Sequence, residues 1–382
     1  MDHQYSSRIQ KIEAVLDKWL PSVPAVPSVP AEPAVPAVPA EPDPAWFRDV
    51  FSFPEKMPAA SAAKLSGAAE TLRSLTLPCR DLLSRGGKRW RPLLMALVCE
   101  TLGGGDSSLP LSPLAEFCHN ASLIHDDIED NADQRRGKPA VHLLYGIDTA
   151  INSGSFLYFL PLSCIDSWAQ GAPAHKVYSL WGMYMRRLHL GQSMDIAWHR
   201  DCEFLPAIDD YLVMCSLKTG CLARFSAVLG VCAAAAVNAE AAAHEDALAQ
   251  MLGEAAEKIG VGFQILDDVK NLGEGLPGKK RGDDIVEGKK SLPVLLYLHR
   301  YPEQRGFVSR CFAAARAGGV GVGETEEFIQ AIASAGILHE AREQGMELIA
   351  QAREVFNKAA PGGFKIHEEG RKLLVGLSDL IS

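Results

Sequence analysis

Residues 46 to 382 read as an all-α helical bundle, and three observations carry that assignment. Long segments rich in Ala, Leu, Met and Glu dominate the chain after Trp46, alternating β-branched runs bounded by tight turns are scarce, and the breaks are Gly/Pro-rich stretches such as "GGGDSSLP" and "GEGLPGKKRGDD". Helices are expected over 112–130, 176–200, 208–236, 241–270, 291–300, 324–336 and 338–358. With 382 residues and 47% hydrophobic content, the chain can bury one large core or two ordinary ones.

Ahead of this domain stand two further elements. Ile9, Ile12, Leu16, Trp19 and Leu20 recur at helical spacing, which predicts a short amphipathic helix within residues 1–20 that needs a partner surface. Residues 21–45 then form a linker in which a proline falls at every third position from Pro21 to Pro42. Polyproline II has three residues per turn, so these rings would line one edge of an extended spacer. The same tract could serve as a ligand for a proline-binding domain.

Composition narrows the function classes. A formal charge of −9 argues against a nucleic-acid partner, so an anionic substrate has to be attracted by local basic residues or by metal. The nine cysteines are odd in number and contain no C-x-x-C pair, as expected of buried thiols in a reducing cytosol. The N-terminus lacks a basic segment followed by an apolar core. The longest apolar stretch, "SAVLGVCAAAAVNAEAAA", is Ala-rich and broken by Asn238 and Glu240, so no transmembrane segment is expected and the protein is read as cytoplasmic.

The stretch "HDDIEDNADQRRGKP" concentrates acids and then sets Arg135 and Arg136 beside them. A solvated helix face carries such runs too. On a helix, however, Asp126 and Asp130 project from one face and can share Mg²⁺, a hard ion that takes oxygen ligands and bridges to phosphate. Asp127 points roughly 100° away and need not be a direct ligand, and Glu129 is expected to be solvated. A second acidic pair, Asp267 and Asp268 in "FQILDDVKNLGEG", lies among apolar neighbours, where unpaired carboxylates would be costly without a cation. Basic residues accompany these acids: Arg85, Lys88, Arg89 and Arg91 in "RGGKRWRP", Lys218 in "KTG", and Lys279, Lys280, Lys289 and Lys290 in "GKKRGDDIVEGKKS". Two acidic helices facing one cavity, with cations between them, would clamp a diphosphate.

In that order, "GGKRWRP", "HDDIEDNADQRRGKP", "GQSMD", "KTG", "FQILDDVKN" and "GDDIVEGKKSLP" make residues 80–300 resemble the trans-isoprenyl diphosphate synthases. The resemblance implies an all-α fold around a deep apolar cavity, usually in a homodimer. It implies Mg²⁺, three ions with diphosphate bound, and condensation of isopentenyl diphosphate with an allylic diphosphate (dimethylallyl, geranyl or farnesyl). Carried over by position, Asp126 and Asp130, with Asp127 assisting, resemble the first metal set, and Asp267 with Asp268 the second. Arg135, Lys218, Thr219, Gln264, Lys279 and Lys289 resemble the allylic diphosphate site, and Lys88, Arg91, His119 and Arg136 the isopentenyl diphosphate site. Gln192 and Asp195 match residues that support Lys218 and the metal cluster. Asn271 stands where a third aspartate is usual, as in the animal and fungal geranylgeranyl diphosphate synthases.

Product length should follow from what plugs the cavity below Asp126. Ala121 and Ser122, five and four residues before Asp126, are small, so no aromatic stop lies about one turn down the wall. Tyr158, Phe159 and His189 match positions that close the pocket in the geranylgeranyl branch, which favours a C20 product. Alternatives are a product of C15 or longer than C20, or a non-catalytic partner subunit of another synthase.

Overall fold

Helix follows helix along almost the whole described chain, which in this computed structural model comprises residues 3–20, 50, 69–201, 203–275, 281–358 and 364–381. The proline tract and Lys279 lie outside the described residues. The longer helices are α1 (His3–Trp19), α2 (Ala69–Ser84), α3 (Trp90–Thr101), α4 (Ser112–Glu129), α5 (Ile147–Phe159), α6 (Ala172–Arg200) and α7 (Ile208–Ala235). They continue with α8 (Glu245–Leu272), α9 (Leu292–Arg300), α10 (Arg305–Gly318), α11 (Gly323–Ser334), α12 (Ile337–Asn357) and α13 (Glu368–Ile381). Among the described residues the β structure is one two-residue antiparallel ladder, Gln134–Arg135 with Lys138–Pro139.

Helix α3 sits at the centre because its sequence, "WRPLLMALVCET", is apolar on nearly every side and all but one of its residues are buried. It packs on α7 and α13, while α4 packs on α5 and α8 on both α7 and α12. Helix α7 is long and apolar enough by length and hydropathy to cross a bilayer, but 67% of its most apolar window is buried inside the protein, as in a core helix. Its middle turn, Ser216–Gly220, is π-helical and carries Lys218. Such bulges re-aim a side chain. The turn fits because it faces Gly191 of α6, where an added Cβ would overlap the Lys218 and Leu217 backbone.

Helix α1 does not stand apart. Ile12, Leu16, Trp19 and Leu20 are buried in the same apolar cluster as α3 and α4, which supplies the partner surface its amphipathic pattern requires. The eight described cysteines are buried free thiols.

Candidate active site

The C-terminal ends of α4 and α8 open onto one cavity of about 900 Å³, and both carry acids within their last two turns. Acids at that pole of a helix oppose its dipole, which adds to the cost of burying them. Asp126, Glu129, Asp267 and Asp268 line the cavity. Glu129 is exposed, as expected, and on the cavity rim it accepts a hydrogen bond from Gln192 Nε2 at 2.6 Å. Two of the expected residues take other places. Asp127 is fully buried, is not among the lining residues, and accepts hydrogen bonds from Arg135 Nε at 2.7 Å and Nη2 at 2.5 Å. Asp130 also lies behind the lining, with Oδ2 3.5 Å from Lys289 Nζ and Oδ1 3.9 Å from His199 Nδ1.

Basic side chains hold these acids apart and in place. Lys218 Nζ donates to Asp195 Oδ2 at 2.5 Å and Asp126 Oδ1 at 3.2 Å. Burial alone would disfavour the ammonium, but Asp126 and Asp195 hold it firmly protonated. His199 Nε2 lies 2.6 Å from Asp195 Oδ1, and Gln192 Nε2 donates to Asp126 Oδ1 at 3.0 Å. Lys289 lies 2.5 Å from Glu287 and 3.5 Å from Asp284 as well as near Asp130. On the second wall, Asp268 accepts hydrogen bonds from Tyr211 Oη at 2.6 Å and Gln264 Nε2 at 2.9 Å, while Thr219 Oγ1 donates to Gln264 Oε1 at 2.8 Å. Asn271 is buried and accepts from the Asp284 backbone N–H at 3.3 Å, so it ties down the following turn and does not face the cavity.

Charge balance tests whether these residues fit a divalent cation. Among the described residues no three ligating side chains already converge on one point. Yet burial, and then the Asp284 and Asp267 charges, push the Asp268 carboxyl well above the usual carboxylate range. Burial likewise raises Asp130, against the pull of Lys289. Oxygen donors facing one another with too little positive charge suit a hard ion that completes its shell from substrate and water.

The opposite imbalance stands next to it. Arg91 and Arg136 are each pushed down to about 10, first by burial, with Glu116 the main opposing charge and other guanidiniums adding to the fall. Burial, followed by Arg91, Arg136, Arg135 and Arg89, holds His119 neutral, well below the usual imidazole range. Lys88, Arg91, His119 and Arg136 all line the cavity. Arg136 reaches it from a tight hairpin turn in which Arg136 and Gly137 both have positive φ, and it donates to Leu82 O at 3.0 Å, Gly86 O at 2.6 Å and Asn120 Oδ1 at 3.2 Å. A cluster of cations with one carboxylate among them wants an anion.

Away from the charges the cavity is walled by Leu123, Phe263, Met185, Leu188 and aromatic rings. Tyr158 is stacked on His125 at 5.8 Å and tilted against His189 at 5.2 Å, and Phe159 meets Trp181 at 5.8 Å. Ser122 lines the wall, whereas Ala121 faces the core and is fully buried. His125, Tyr211, Asp284 and Glu287 were not among the expected residues. His125 and Glu287 stand inside the quoted motifs, but only the fold shows what Tyr211 touches.

A sequence profile described as Polyprenyl synthetase matches residues 73–325. A short chain isoprenyl diphosphate synthase of Methanocaldococcus jannaschii is 37% identical over 59% of this chain and 67% of its own length. Geranylgeranyl pyrophosphate synthase D of Phomopsis amygdali is 32% identical over 65% of this chain, and the match spans only 56% of that protein. Among solved structures, the Corynebacterium glutamicum geranylgeranyl pyrophosphate synthase complexed with isoprenyl diphosphate and magnesium aligns with a TM-score of 0.71 over 99% of this chain and 98% of its own. At 20% identity that likeness speaks for the all-α fold.

Proposed function

The chain belongs to the polyprenyl synthetase family, and from that premise we propose that it is a Mg²⁺-dependent prenyltransferase making geranylgeranyl diphosphate. It would condense isopentenyl diphosphate with dimethylallyl, geranyl or farnesyl diphosphate. The observation that carries this reading is the pairing of an acid-lined wall with a separate guanidinium cluster on one apolar cavity. Two anionic groups of different kinds then have two places to bind, one needing metal and one needing none.

Asp126, with Asp130 behind it, and the Asp267–Asp268 pair would hold Mg²⁺, which would supply positive charge against the charge developing on the diphosphate leaving group. Arg135, Lys218 and Lys289 add fixed positive charge at the same group, together with Lys279, which lies outside the described residues. Thr219 and Gln264 keep the second wall in register through their bond to each other and to Asp268. Lys88, Arg91, Arg136 and neutral His119 hold isopentenyl diphosphate so that its double bond meets the allylic carbon as the old C–O bond breaks. The new C–C bond forms, and loss of a proton restores neutrality. Met185, Leu188, Phe263 and the rings at 158 and 159 keep water from the intermediate cation.

A C20 product is supported by the small residue at Ser122 and by the His125, Tyr158 and His189 rings packed together on the cavity wall. The exposed apolar side chains Leu143, Leu144, Ile147, Ile151 and Leu190 support a homodimer, and the buried free thiols support a reducing, cytoplasmic setting. The test is incubation of purified protein and Mg²⁺ with isopentenyl diphosphate and each of the three primers, followed by sizing of the products. C20 is expected from all three. No elongation with any primer would reject the catalytic reading in favour of a partner subunit, and a different length would move the floor.

A further inference from the structure

The basic loop is braced from an element that the two diphosphate sites leave unused. Arg89 has a left-handed backbone, φ 48°, a conformation that a side-chain-bearing residue keeps only when its surroundings hold it there. Its buried guanidinium does the holding: it donates to Leu83 O at 2.7 Å, Gly86 O at 3.2 Å, Glu116 Oε1 at 2.8 Å and Glu13 Oε1 at 2.7 Å. The first acceptor belongs to the end of α2, the second to the loop itself and the third to α4. Glu13 alone comes from α1, 76 positions away in sequence. Just above this guanidinium, a Cβ placed on Gly87 would lie 3.0 Å from Arg89 Nη1 and 3.3 Å from Arg136 Nη2, so the loop backbone rests on both side chains.

We infer that Glu13 is a positioning residue for the isopentenyl diphosphate subsite: by bonding Arg89 it keeps the loop 86–89 in the shape that presents Lys88, and Arg91 in the first turn of α3, to the cavity. The inference rests on assigning that substrate to Lys88, Arg91, His119 and Arg136. Glu13 also shares with Glu116 the neutralisation of Arg89. Without Glu13, Glu116 is drawn toward Arg89 and away from Arg91 and Arg136, and the cation cluster loses its set geometry. The rest of α1 stays docked, since Arg8 pairs with Glu100 at 2.7 Å, Lys11 with Asp106 at 2.6 Å and Asp17 with Arg80 at 2.5 Å. The Glu13 side chain is 40% exposed, so its replacement leaves no buried hole.

Calorimetric titration of the full-length protein with isopentenyl diphosphate, without allylic primer so that nothing turns over, reads this directly. Glu13→Ala is expected to weaken binding about five- to tenfold and Glu13→Gln, which keeps an acceptor without charge, by less. Lys11→Ala, which removes an ion pair from the same helix away from the loop, should leave the affinity unchanged. In turnover, the KM for isopentenyl diphosphate should rise with Glu13→Ala while the KM for farnesyl diphosphate and kcat stay within about twofold. Equal affinity in Glu13→Ala and the unmodified protein would overturn the inference, as would an equal loss in Lys11→Ala. If the unmodified protein does not bind isopentenyl diphosphate, the subsite assignment itself fails and takes the inference with it.

Discussion

Asp127 separates two accounts of the first acidic motif, one in which it helps hold metal and one in which it anchors Arg135. In Asp127→Asn the shape is kept and only the charge is lost. Asp127 is fully buried and Arg135 partly so, and their two close contacts are charge-assisted. Breaking a buried pair from one side costs about 3–5 kcal/mol when nothing compensates. Here the asparagine oxygen can still accept, and Asp126 Oδ2 remains 3.6 Å from Arg135, so about 2–3 kcal/mol is expected. At about 2 °C per kcal/mol for a chain of this size, the melting temperature should fall by about 5 °C. Initial rates against Mg²⁺ concentration complete the test. The anchoring role predicts a KM for the allylic diphosphate raised about tenfold, as expected when a bidentate-type arginine contact is misplaced, with the Mg²⁺ requirement within about twofold. A melting temperature unchanged from the parent, together with a Mg²⁺ requirement shifted by an order of magnitude, would refute the reasoning.

Further expectations concern pH, product length and packing. His119 stays neutral in the folded protein but takes up a proton in the unfolded chain below about pH 6.5, so folding stability should fall as the pH drops from there, by up to about 1.4 kcal/mol per unit. Urea midpoints at pH 7.5, 6 and 5 should show this slope, and His119→Gln should flatten it. Phe159→Ala and Tyr158→Ala should each lengthen the product beyond C20, read by chromatography of the dephosphorylated alcohols; an unchanged C20 product would remove that residue from the floor. Gly191→Ala should force the Lys218 turn away from α6 at a cost of about 1–3 kcal/mol, with activity lost alongside, and a parent-like melting curve with full activity would contradict the close approach seen there.

What could be read without coordinates was whatever chemistry is local. The helices expected at 112–130, 208–236, 291–300 and 338–358 begin and end within about two residues of those observed, because their apolar spacing and Gly/Pro breaks are strong. Helices such as α2 and α3 carry weaker signals: α3 is apolar all round and shows no stripe, and α2 carries Pro78 inside it. At the site, Asp126, Asp267 and Asp268 were legible because clustered acids in apolar settings ask for a cation. That Asp127 points away from the Asp126 face follows from helix rotation; its bond to Arg135 and the place of Asp130 do not, since they depend on a hairpin that brings Arg135 back to α4 and on Lys289 arriving from far along the chain. Ala121 and Ser122 are sequence neighbours, yet helix rotation sends one to the core and the other to the cavity wall. Contacts such as Tyr211 with Asp268, or Glu13 with Arg89, leave no trace in sequence spacing. Only tertiary packing makes them.

The central claim is that acids at the ends of α4 and α8 act together on one diphosphate through metal. Calorimetric titration with inorganic diphosphate, with and without Mg²⁺, tests it most directly when run on the parent, Asp126→Ala and Asp267→Ala. Tight binding that needs Mg²⁺ and disappears in either variant is the predicted result. Binding of equal strength without Mg²⁺, or binding that survives the loss of either aspartate, would contradict it.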